Sequence, residues 1–520
     1  MENARQLLER LGRQLAAQDD ARRPIPQPSA PVPHKRLCVG MATYDDFDGV
    51  YFTVQSMRLA HPEVLADTSF LVLDNHPEGE TATALRALAD KVPDVRYVPF
   101  RGFRGTAVRD LIFREAAADI VMCVDPHILV RPGALAALLD YFAAAPDSRD
   151  IVQGPLLDDT FDGIVGTHFA ADWGGGMYGQ WKTDERFHAE PGEPFEIPMQ
   201  GLGLFACRRE AWPGLNPRFR GFGGEEGYLH EKFRRAGGRA ICLPALAWGH
   251  RFQRPGGVPY PADWQDRIRN YHLGWAEIGW DTAEIDAHFR THLGAQHAAA
   301  AIGRTKRQVD NPFTFFDAIF CLNADEDADR WDEMDERFGM LDIAWRAERF
   351  PLVVDDDERR ASLLSFRSAI GTALHRGYAN VLVLRDGVVF IDQTLAILTD
   401  AVGDLAGRPW DLLCLGGGGD GSRSAAFADG SIVLQVADGL TRAHAVAVAA
   451  SAFDRVLLEM PAEDGPEMDA FLTEHAGLDA YLDHRIADGS YRALMTFPRV
   501  ASEQSLLEDE DAVLAVRYVI

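Results

Sequence analysis

The sequence predicts an α/β protein whose sheets are covered by helices on both faces. Short apolar runs alternate with amphipathic segments from Leu37 onward, and the same alternation resumes at Ala318. Most of the runs are followed by polar side chains. Alternating strands and helices favour parallel pairing with right-handed crossovers. Since parallel strands end at the same edge of a sheet, we expect these polar side chains to gather there.

The first half of the chain shows this alternation most clearly. The run from Asp119 to Val124 is apolar after its first residue, which predicts a central strand buried on both faces. The elements predicted in order are strand 37–42, helix 47–59, strand 69–73, helix 81–88, strand 95–98, helix 106–117 and strand 119–124.

The second half repeats the pattern after a polar stretch at residues 303–311. It is predicted to contain strand 318–323, helices 329–338 and 362–375, and strand 381–384. Leucines at helical spacing predict a short helix over residues 2–18, followed by a proline-rich linker. We therefore expect an N-terminal arm (residues 1–34), a first domain (35–305) and a second domain (306–520).

Composition limits the classes of function. A net charge of -27 argues against a broad nucleic-acid-binding face, which needs clustered Lys and Arg. The six cysteines are scattered among apolar runs, which indicates reduced core residues. With no apolar run approaching about 20 residues and no signal-peptide pattern, we expect a cytoplasmic protein without a membrane span. A homo-oligomer is left open.

Asp125 and His127 stand one residue apart directly after the central strand. Both side-chain types ligate divalent metals, and the carboxyl end of a buried strand is where an open sheet binds ligands. The plain alternative is a turn containing Pro126. Taken alone, the tripeptide favours the turn.

Together with its surroundings, the motif resembles that of a known group of enzymes. Residues 37 to about 255 resemble glycosyltransferases of the GT-A fold, similar to family 2 and, in the Asp-X-His motif, to the polypeptide N-acetylgalactosaminyltransferases. The resemblance implies a Rossmann-like mixed sheet flanked by helices and a nucleotide-sugar donor, with a UDP-sugar the first expectation. The implied donor-binding residues are Thr43, Tyr44, Asp45, Asp74, Arg109 and Asp125.

The same resemblance implies a metal centre and an acceptor side. Asp125, His127 and His250 would ligate Mn²⁺, with Mg²⁺ as the alternative, since a mixed nitrogen and oxygen set suits Mn²⁺ better than Ca²⁺. The implied acceptor-side residues are Gly201, Leu202, Gly203 and Trp248.

Glu225 and Glu226 open a predicted helix, twelve positions (237 − 225) before Gly237. The resemblance gives Glu226 the position of a catalytic base in inverting transfer, while Glu225 binds the acceptor or orients the loop. Acidic residues are also common in the first turn of any helix because of its dipole. The N-acetylgalactosaminyltransferases are retaining enzymes with an amide at the equivalent position, so a carboxylate here favours inversion and leaves retention as the alternative.

The second domain resembles family 25 glycosyltransferases at residues 321–330, 365–370, 381–388 and 443–445. Arg385-Asp386-Gly387 replaces the acidic triplet of that family, which removes most of the negative charge that a metal needs. We therefore expect a degenerate domain used for acceptor binding or assembly, with an active second transferase as the alternative. For the whole chain, a noncatalytic carbohydrate- or nucleotide-binding protein and a nucleotidyltransferase or pyrophosphatase are the competing hypotheses. The acceptor cannot be named from the sequence.

Overall fold

The computed structural model describes residues 32–188, 192–252, 260, 262–417, 424–426, 433–437, 439–504 and 518–519. The chain divides into two compact units, and the division falls between Thr305 and Lys306. We call residues 24–305 the first unit and residues 306–520 the second unit. The helix predicted over residues 2–18 lies outside the described residues.

The first unit is built on an eight-stranded mixed sheet of order β11-β13-β6-β12-β4-β1-β2-β3. Its strands are β1 (Lys35–Thr43), β2 (Thr68–Asp74), β3 (Val95–Pro99), β4 (Ala118–Val124), β6 (Ile151–Gln153), β11 (Phe195–Glu196), β12 (Leu204–Arg208) and β13 (Ala240–Cys242). A second sheet contains β5 (Ile128–Val130), β7 (Leu156–Leu157), β8 (Ile164–Gly166) and β14 (Trp248–His250), and a hairpin contains β9 (His168–Gly174) and β10 (Met177–Lys182).

The helices of the first unit pack on both faces of the main sheet, as predicted. They are α1 (Phe47–Ala60), α2 (Ala82–Lys91), α3 (Arg109–Glu115), α4 (Ala134–Ala144), α5 (Glu226–Arg235), α6 (Trp264–Glu277), α7 (Ala283–Leu293) and α8 (Ala295–Val309). One face of the sheet packs against Val54 and Leu138, which lie on α1 and α4. On the other face α3 lies so close to β1 that a Cβ at Gly40 would meet Ile112 at 2.1 Å. Only glycine fits there.

The second unit has its own eight-stranded mixed sheet, of order β16-β15-β17-β22-β19-β23-β21-β20. The strands are β15 (Ala318–Asn323), β16 (Ala347–Pro351), β17 (Asn380–Arg385), β19 (Leu412–Cys414), β20 (Ser424–Ala426), β21 (Leu434–Ala437), β22 (Ala445–Ala449) and β23 (Ala493–Thr496). A small sheet contains β18 (Val388–Ile391), β24 (Ala501–Glu503) and β25 (Tyr518–Val519). The helices are α9 (Ala328–Met340), α10 (Glu358–His375), α11 (Thr394–Leu405), α12 (Ala450–Glu459), α13 (Pro466–His475) and α14 (Leu478–Ala487).

The two sheets have the same topology over seven strands. In chain order β1, β2, β4, β6, β11, β12 and β13 correspond to β15, β16, β17, β19, β21, β22 and β23. The pairing directions agree as well, since β12 and β22 both run antiparallel to both of their neighbours while β13 and β23 run parallel to β6 and β19. The prediction of two α/β units with mixed sheets is confirmed.

Two further predictions concern single features of the chain. All six cysteines are free and buried, as the sequence indicates. Within the described residues, helices that are both long enough and apolar enough to cross a bilayer are absent.

Candidate active site

The predicted polar residues of the first unit meet at the carboxyl edge of its main sheet. The register pairs Thr43 with Asp74 and Met41 with Val124, so β1, β2 and β4 end at one level. Asp125 follows the last of these strands. The main sheet therefore places three of the predicted residues along one edge, as expected for parallel strands.

The three candidate metal ligands are brought together by the pairing of two short strands. His127 immediately precedes β5, and antiparallel pairing sets His250 of β14 opposite Ile128. His250 Nε2 lies 3.7 Å from Asp125 Oδ2, and the rings of His127 and His250 have centroids 4.8 Å apart. Residues 125 positions apart in sequence (250 − 125) thus share one small volume.

The donor set fits a divalent cation in chemistry. It offers one carboxylate and two imidazoles, and Nδ1 of His250 is buried without a hydrogen-bond partner among the described residues. Neutral imidazole nitrogens with an unused lone pair are ordinary ligands of Mn²⁺ and Zn²⁺. The ligating atoms of Asp125, His127 and His250 do not all lie within 4.8 Å of one another. Of the described residues, the group whose ligating atoms all lie within 4.8 Å of one another is Glu474, His475 and His484, in the second unit.

Asp46 orients His127 and was missed by the sequence reasoning. One of its carboxylate oxygens caps α1 by accepting the Gly49 N–H, and the other lies 2.9 Å from His127 Nδ1. His127 adopts a positive φ of 64° directly after the strand end. A carboxylate on Nδ1 fixes the tautomer and leaves the lone pair of Nε2 available for a metal ion. The sequence gave no signal for this role of Asp46, because its contact with His127 arises only in the fold.

Arg109 bridges Asp125, the candidate metal-ligand carboxylate, and Glu225 of the acidic pair. Its guanidinium donates to Asp125 Oδ1 at 2.8 Å and to Glu225 Oε1 at 3.1 Å. Burial alone would raise the pKa of Asp125, but the Arg109 guanidinium and His250 hold that pKa well below its usual range. Asp125 is therefore an anion at every ordinary pH. The family resemblance implies that Arg109 binds the donor, and the structure places its guanidinium between the carboxylates of Asp125 and Glu225.

Glu225 and Glu226 stand where α5 begins, with Glu226 as the first helical residue. Burial and the neighbouring Glu225 carboxylate raise the pKa of Glu226 to about 7. Burial also raises the pKa of Glu225, against the opposing effect of Arg109, and its Oε2 has no hydrogen-bond partner among the described residues. A helix dipole stabilises an anion by only about 0.3 to 1 kcal/mol, so burial and repulsion dominate here. Arg267 is a further nearby cation, which the sequence reasoning did not single out.

The turn after β1 carries the predicted nucleotide-binding residues. Tyr44 stacks on His76 with centroids 4.6 Å apart, and Asp45 Oδ2 lies 2.6 Å from His76 Nδ1. Asp74 is 1% exposed, and its oxygens accept the His76 N–H and the Tyr97 O–H. Asp74 therefore holds the turn in place through these two hydrogen bonds, while Tyr44 and Asp45 remain partly accessible. Thr43 Oγ1 is buried without a hydrogen-bond partner among the described atoms.

The predicted acceptor-side residues Gly201, Leu202 and Gly203 directly precede β12, the strand beside β4, and Trp248 begins β14. The Asp125 N–H donates to the Gly203 carbonyl, and a Cβ on Gly203 would meet Trp248 at 2.8 Å and Asp125 Oδ2 at 3.5 Å. Trp248 is buried, and its indole N–H donates to the Gly154 carbonyl. Gly201 accepts from Gln153, and Leu202 is buried next to it.

Residues 38–211 match the model of glycosyl transferase family 2. Polypeptide N-acetylgalactosaminyltransferase 10 of mouse and of human are each 26% identical to this chain over 226 residues. That alignment covers 40% of this chain and 36% of those proteins, so the chain spans about a third of the length of the curated relatives it matches.

Two solved structures are also similar to this chain. A complex of GalNAc-T7 with UDP, GalNAc and Mn²⁺ aligns at 17% identity and a TM-score of 0.40, covering 51% of this chain and 52% of that one. A Pyrobaculum calidifontis mannosyltransferase with GDP-Man and Mn²⁺ aligns at 19% identity and 0.33, covering 58% and 81%. The family match ends at residue 211, so the family 25 resemblance of the second unit stays a prediction.

Proposed function

We propose that the first unit is a metal-dependent glycosyltransferase that moves a sugar from a nucleotide-sugar donor to an acceptor hydroxyl. The observation that carries this proposal is the convergence of Asp125, His127 and His250, with Arg109 joining Asp125 to Glu225 of the acidic pair. Asp125 and His127 lie within the residues that match a glycosyltransferase family, and His250 and the acidic pair follow that match in the chain. The name of the curated relatives makes UDP-N-acetylgalactosamine the first donor to test.

Mn²⁺ is the cation that we propose for this site, with Mg²⁺ as the alternative. When bound, such a cation neutralises charge on the diphosphate leaving group. Asp125, His127 and His250 would hold it. Asp46 keeps the ligating nitrogen of His127 free, and Arg109 keeps Asp125 ionised.

Glu226 is the proposed base, in an inverting displacement. Its carboxylate takes the proton of the acceptor hydroxyl as the hydroxyl oxygen bonds to the anomeric carbon, and the bond from that carbon to the diphosphate oxygen breaks. The nucleoside diphosphate leaves with the electron pair. A pKa of about 7 suits this role, because a general base works best near the operating pH. Glu225 remains beside Arg109 and orients the start of α5.

Retaining transfer is the second candidate, because the curated relatives are named N-acetylgalactosaminyltransferases and share the first-unit alignment. The configuration of the product at the anomeric carbon, read by NMR, distinguishes the two. An inverted product would support Glu226 as base, while a retained product would move the proposal to the second candidate.

The test is a panel of UDP-, GDP- and dTDP-sugars incubated with the full chain and Mn²⁺. We expect release of nucleoside diphosphate from a UDP-sugar, and loss of this release in Asp125→Asn. Asp119→Asn is the matched control, since this carboxylate lies on the same strand but is exposed and pairs with His34. Release of nucleoside monophosphate would indicate a nucleotidyltransferase or pyrophosphatase. Binding of nucleotide without any turnover would indicate a noncatalytic binding protein.

A further inference from the structure

The shared topology lets each position of the first site be matched to one in the second unit. Asp125, which follows β4 and lies three residues before β5 (128 − 125), matches Arg385, which ends β17 three residues before β18 (388 − 385). Strand pairing sets His250 opposite the first residue of β5 and Glu503 opposite the first residue of β18. His250 therefore matches Glu503.

The acceptor edge can be matched in the same way. The Asp125 N–H donates to the Gly203 carbonyl at 2.9 Å, and the Arg385 N–H donates to the His444 carbonyl at 2.9 Å. His444 thus matches Gly203. Glu226 lies fourteen residues before β13 (240 − 226), and Asp479 lies fourteen residues before β23 (493 − 479).

At the four positions that match the candidate metal ligands and base of the first unit, the second unit keeps one carboxylate and has a different residue type at the other three. A carboxylate remains at the position of Glu226, but arginine replaces Asp125, glycine replaces His127 and glutamate replaces His250. A guanidinium now stands where the first unit presents its anionic metal ligand. An arginine at this point repels a cation and attracts a phosphate group.

Arg385 has donors left for such a group. Its Nη2 donates to Ser362 Oγ at 3.0 Å and to Asp479 Oδ1 at 3.2 Å. Within the described residues Nε and Nη1 have no partner, and the side chain is 32% exposed. Arg330 lies close by, since its guanidinium would be 3.9 Å from a Cβ on Gly387. Its Nη1 also lies 3.7 Å from Asp386 Oδ1. The second unit therefore presents two arginines and one carboxylate at the turn where the first unit presents Asp125 and His127.

His444 supplies a second and independent observation. It is 2% exposed, and its Nδ1 has no hydrogen-bond partner among the described residues. The nearest charged oxygen, Oε1 of Glu503, is 4.0 Å away, which is too long for a hydrogen bond. Its Nε2 lies 3.4 Å from the Ala501 carbonyl. A buried imidazole nitrogen without a partner costs stability unless a ligand supplies one.

We propose that the carboxyl edge of the second unit is a metal-independent binding site for a nucleoside diphosphate, with Arg385 contacting the phosphates and His444 accepting from a sugar hydroxyl. The site is separate from the proposed transferase site. Phosphate oxygens carry negative charge and accept hydrogen bonds. The Arg385 guanidinium therefore neutralises the diphosphate in the second unit, as the metal cation does in the proposed site of the first unit. The second unit would thus bind a nucleotide and leave its glycosidic bond intact.

The test is isothermal titration of the full chain with UDP in buffer containing EDTA, which suppresses the proposed metal-dependent site. We expect one EDTA-resistant site that persists in Asp125→Asn and weakens at least about tenfold in Arg385→Gln, as expected for loss of a hydrogen bond to a charged group. Arg408→Gln is the matched control, because Arg408 follows α11 at the opposite edge of the sheet. Its titration should equal that of the wild type.

Two further arms keep the test decisive. Inorganic pyrophosphate should displace UDP and uridine should not bind, and a UDP site that pyrophosphate leaves untouched would overturn the phosphate assignment. Arg385→Lys, which keeps the charge, should recover part of the affinity and guards against a variant that fails to fold. Absence of EDTA-resistant binding in the wild type, or equal binding in wild type and Arg385→Gln, would overturn the proposal. Turnover with Mn²⁺ is measured separately, so failure here does not touch the proposed transferase activity.

Discussion

The two units share a sheet topology and differ in the charges at its carboxyl edge. Apolar strands such as β4 and β17 fix the frame in both, and both are buried along most of their length. The frame then presents Asp125 with two histidines in the first unit, and Arg385 with a glutamate in the second. The same sheet topology therefore presents different charges at its carboxyl edge, because a few side chains at strand ends differ between the units.

The largest expected effect comes from removing Asp125, the carboxylate among the proposed metal ligands. Asp125→Asn should lower turnover of the UDP-sugar by about 1000-fold, because Lewis-acid stabilisation of a leaving group is worth several kcal/mol. Arg385→Gln, the matched change in the second unit, should leave turnover unchanged. Steady-state release of UDP measures both. Equal losses in the two variants would remove the distinction between the units.

The next effect concerns the candidate base. Glu226→Gln should lower kcat by about 100-fold or more, since that is the usual value of general base catalysis. Asp479→Asn, at the matched position of the second unit, should leave kcat unchanged. The measurement is kcat for release of UDP at saturating donor. A change in the KM for the donor with kcat unchanged would assign Glu226 to substrate binding.

The raised pKa of Glu226 predicts the pH dependence. The carboxyl is protonated below its pKa of about 7 and cannot accept a proton, so kcat/KM should rise with pH up to about 7 and then level off. The same shift makes the folded chain bind this proton more tightly than the unfolded chain. Stability should therefore fall as pH rises from the ordinary value of 4.5 through 7. The free energy of unfolding of Glu226→Gln, measured with denaturant, should lack this part of the decline. An identical pH profile of stability in wild type and variant would contradict the raised pKa of Glu226.

Asp46 should have a smaller effect, on metal affinity. Asp46→Asn keeps an oxygen to cap α1 but presents no carboxylate to His127, so Mn²⁺ affinity should fall by about 10- to 100-fold. Asp48→Asn is the control, since this residue is exposed on the first turn of the same helix. Titration with Mn²⁺ in the presence of UDP measures the difference. Equal affinity in wild type and Asp46→Asn would separate His127 from the metal.

The smallest expected effect is on packing beside the site. Gly203→Ala should destabilise the first unit by about 1 to 3 kcal/mol, because the added Cβ would meet the Trp248 ring at 2.8 Å. His444 at the matched position shows that a side chain is tolerated there in the second unit. Thermal unfolding measures the change. An unaltered melting temperature would mean that Trp248 moves freely to make room for the added Cβ.

The strands were predictable because continuous apolar runs are local signals. The run at residues 119–124 and the Asp-X-His after it located both the central strand and the candidate site. The partners of the site were not predictable, because they depend on contacts between distant residues. Asp46 lies 2.9 Å from His127 across 81 positions, and Arg109 reaches Glu225 across 116 positions. The match of Glu503 to His250 was not predictable either, because it depends on the strand pairing in each unit and the two residues differ in type.

The most direct test of the central claim is UDP titration of the Arg385→Gln variant, with Mn²⁺ and then with EDTA. Removing the second-unit arginine isolates the first site, where Asp125, His127 and His250 should hold the nucleotide through a cation. We expect UDP to bind with Mn²⁺ and to lose at least about tenfold in affinity on chelation. Binding that is equally tight in EDTA would contradict a metal centre at the end of β4.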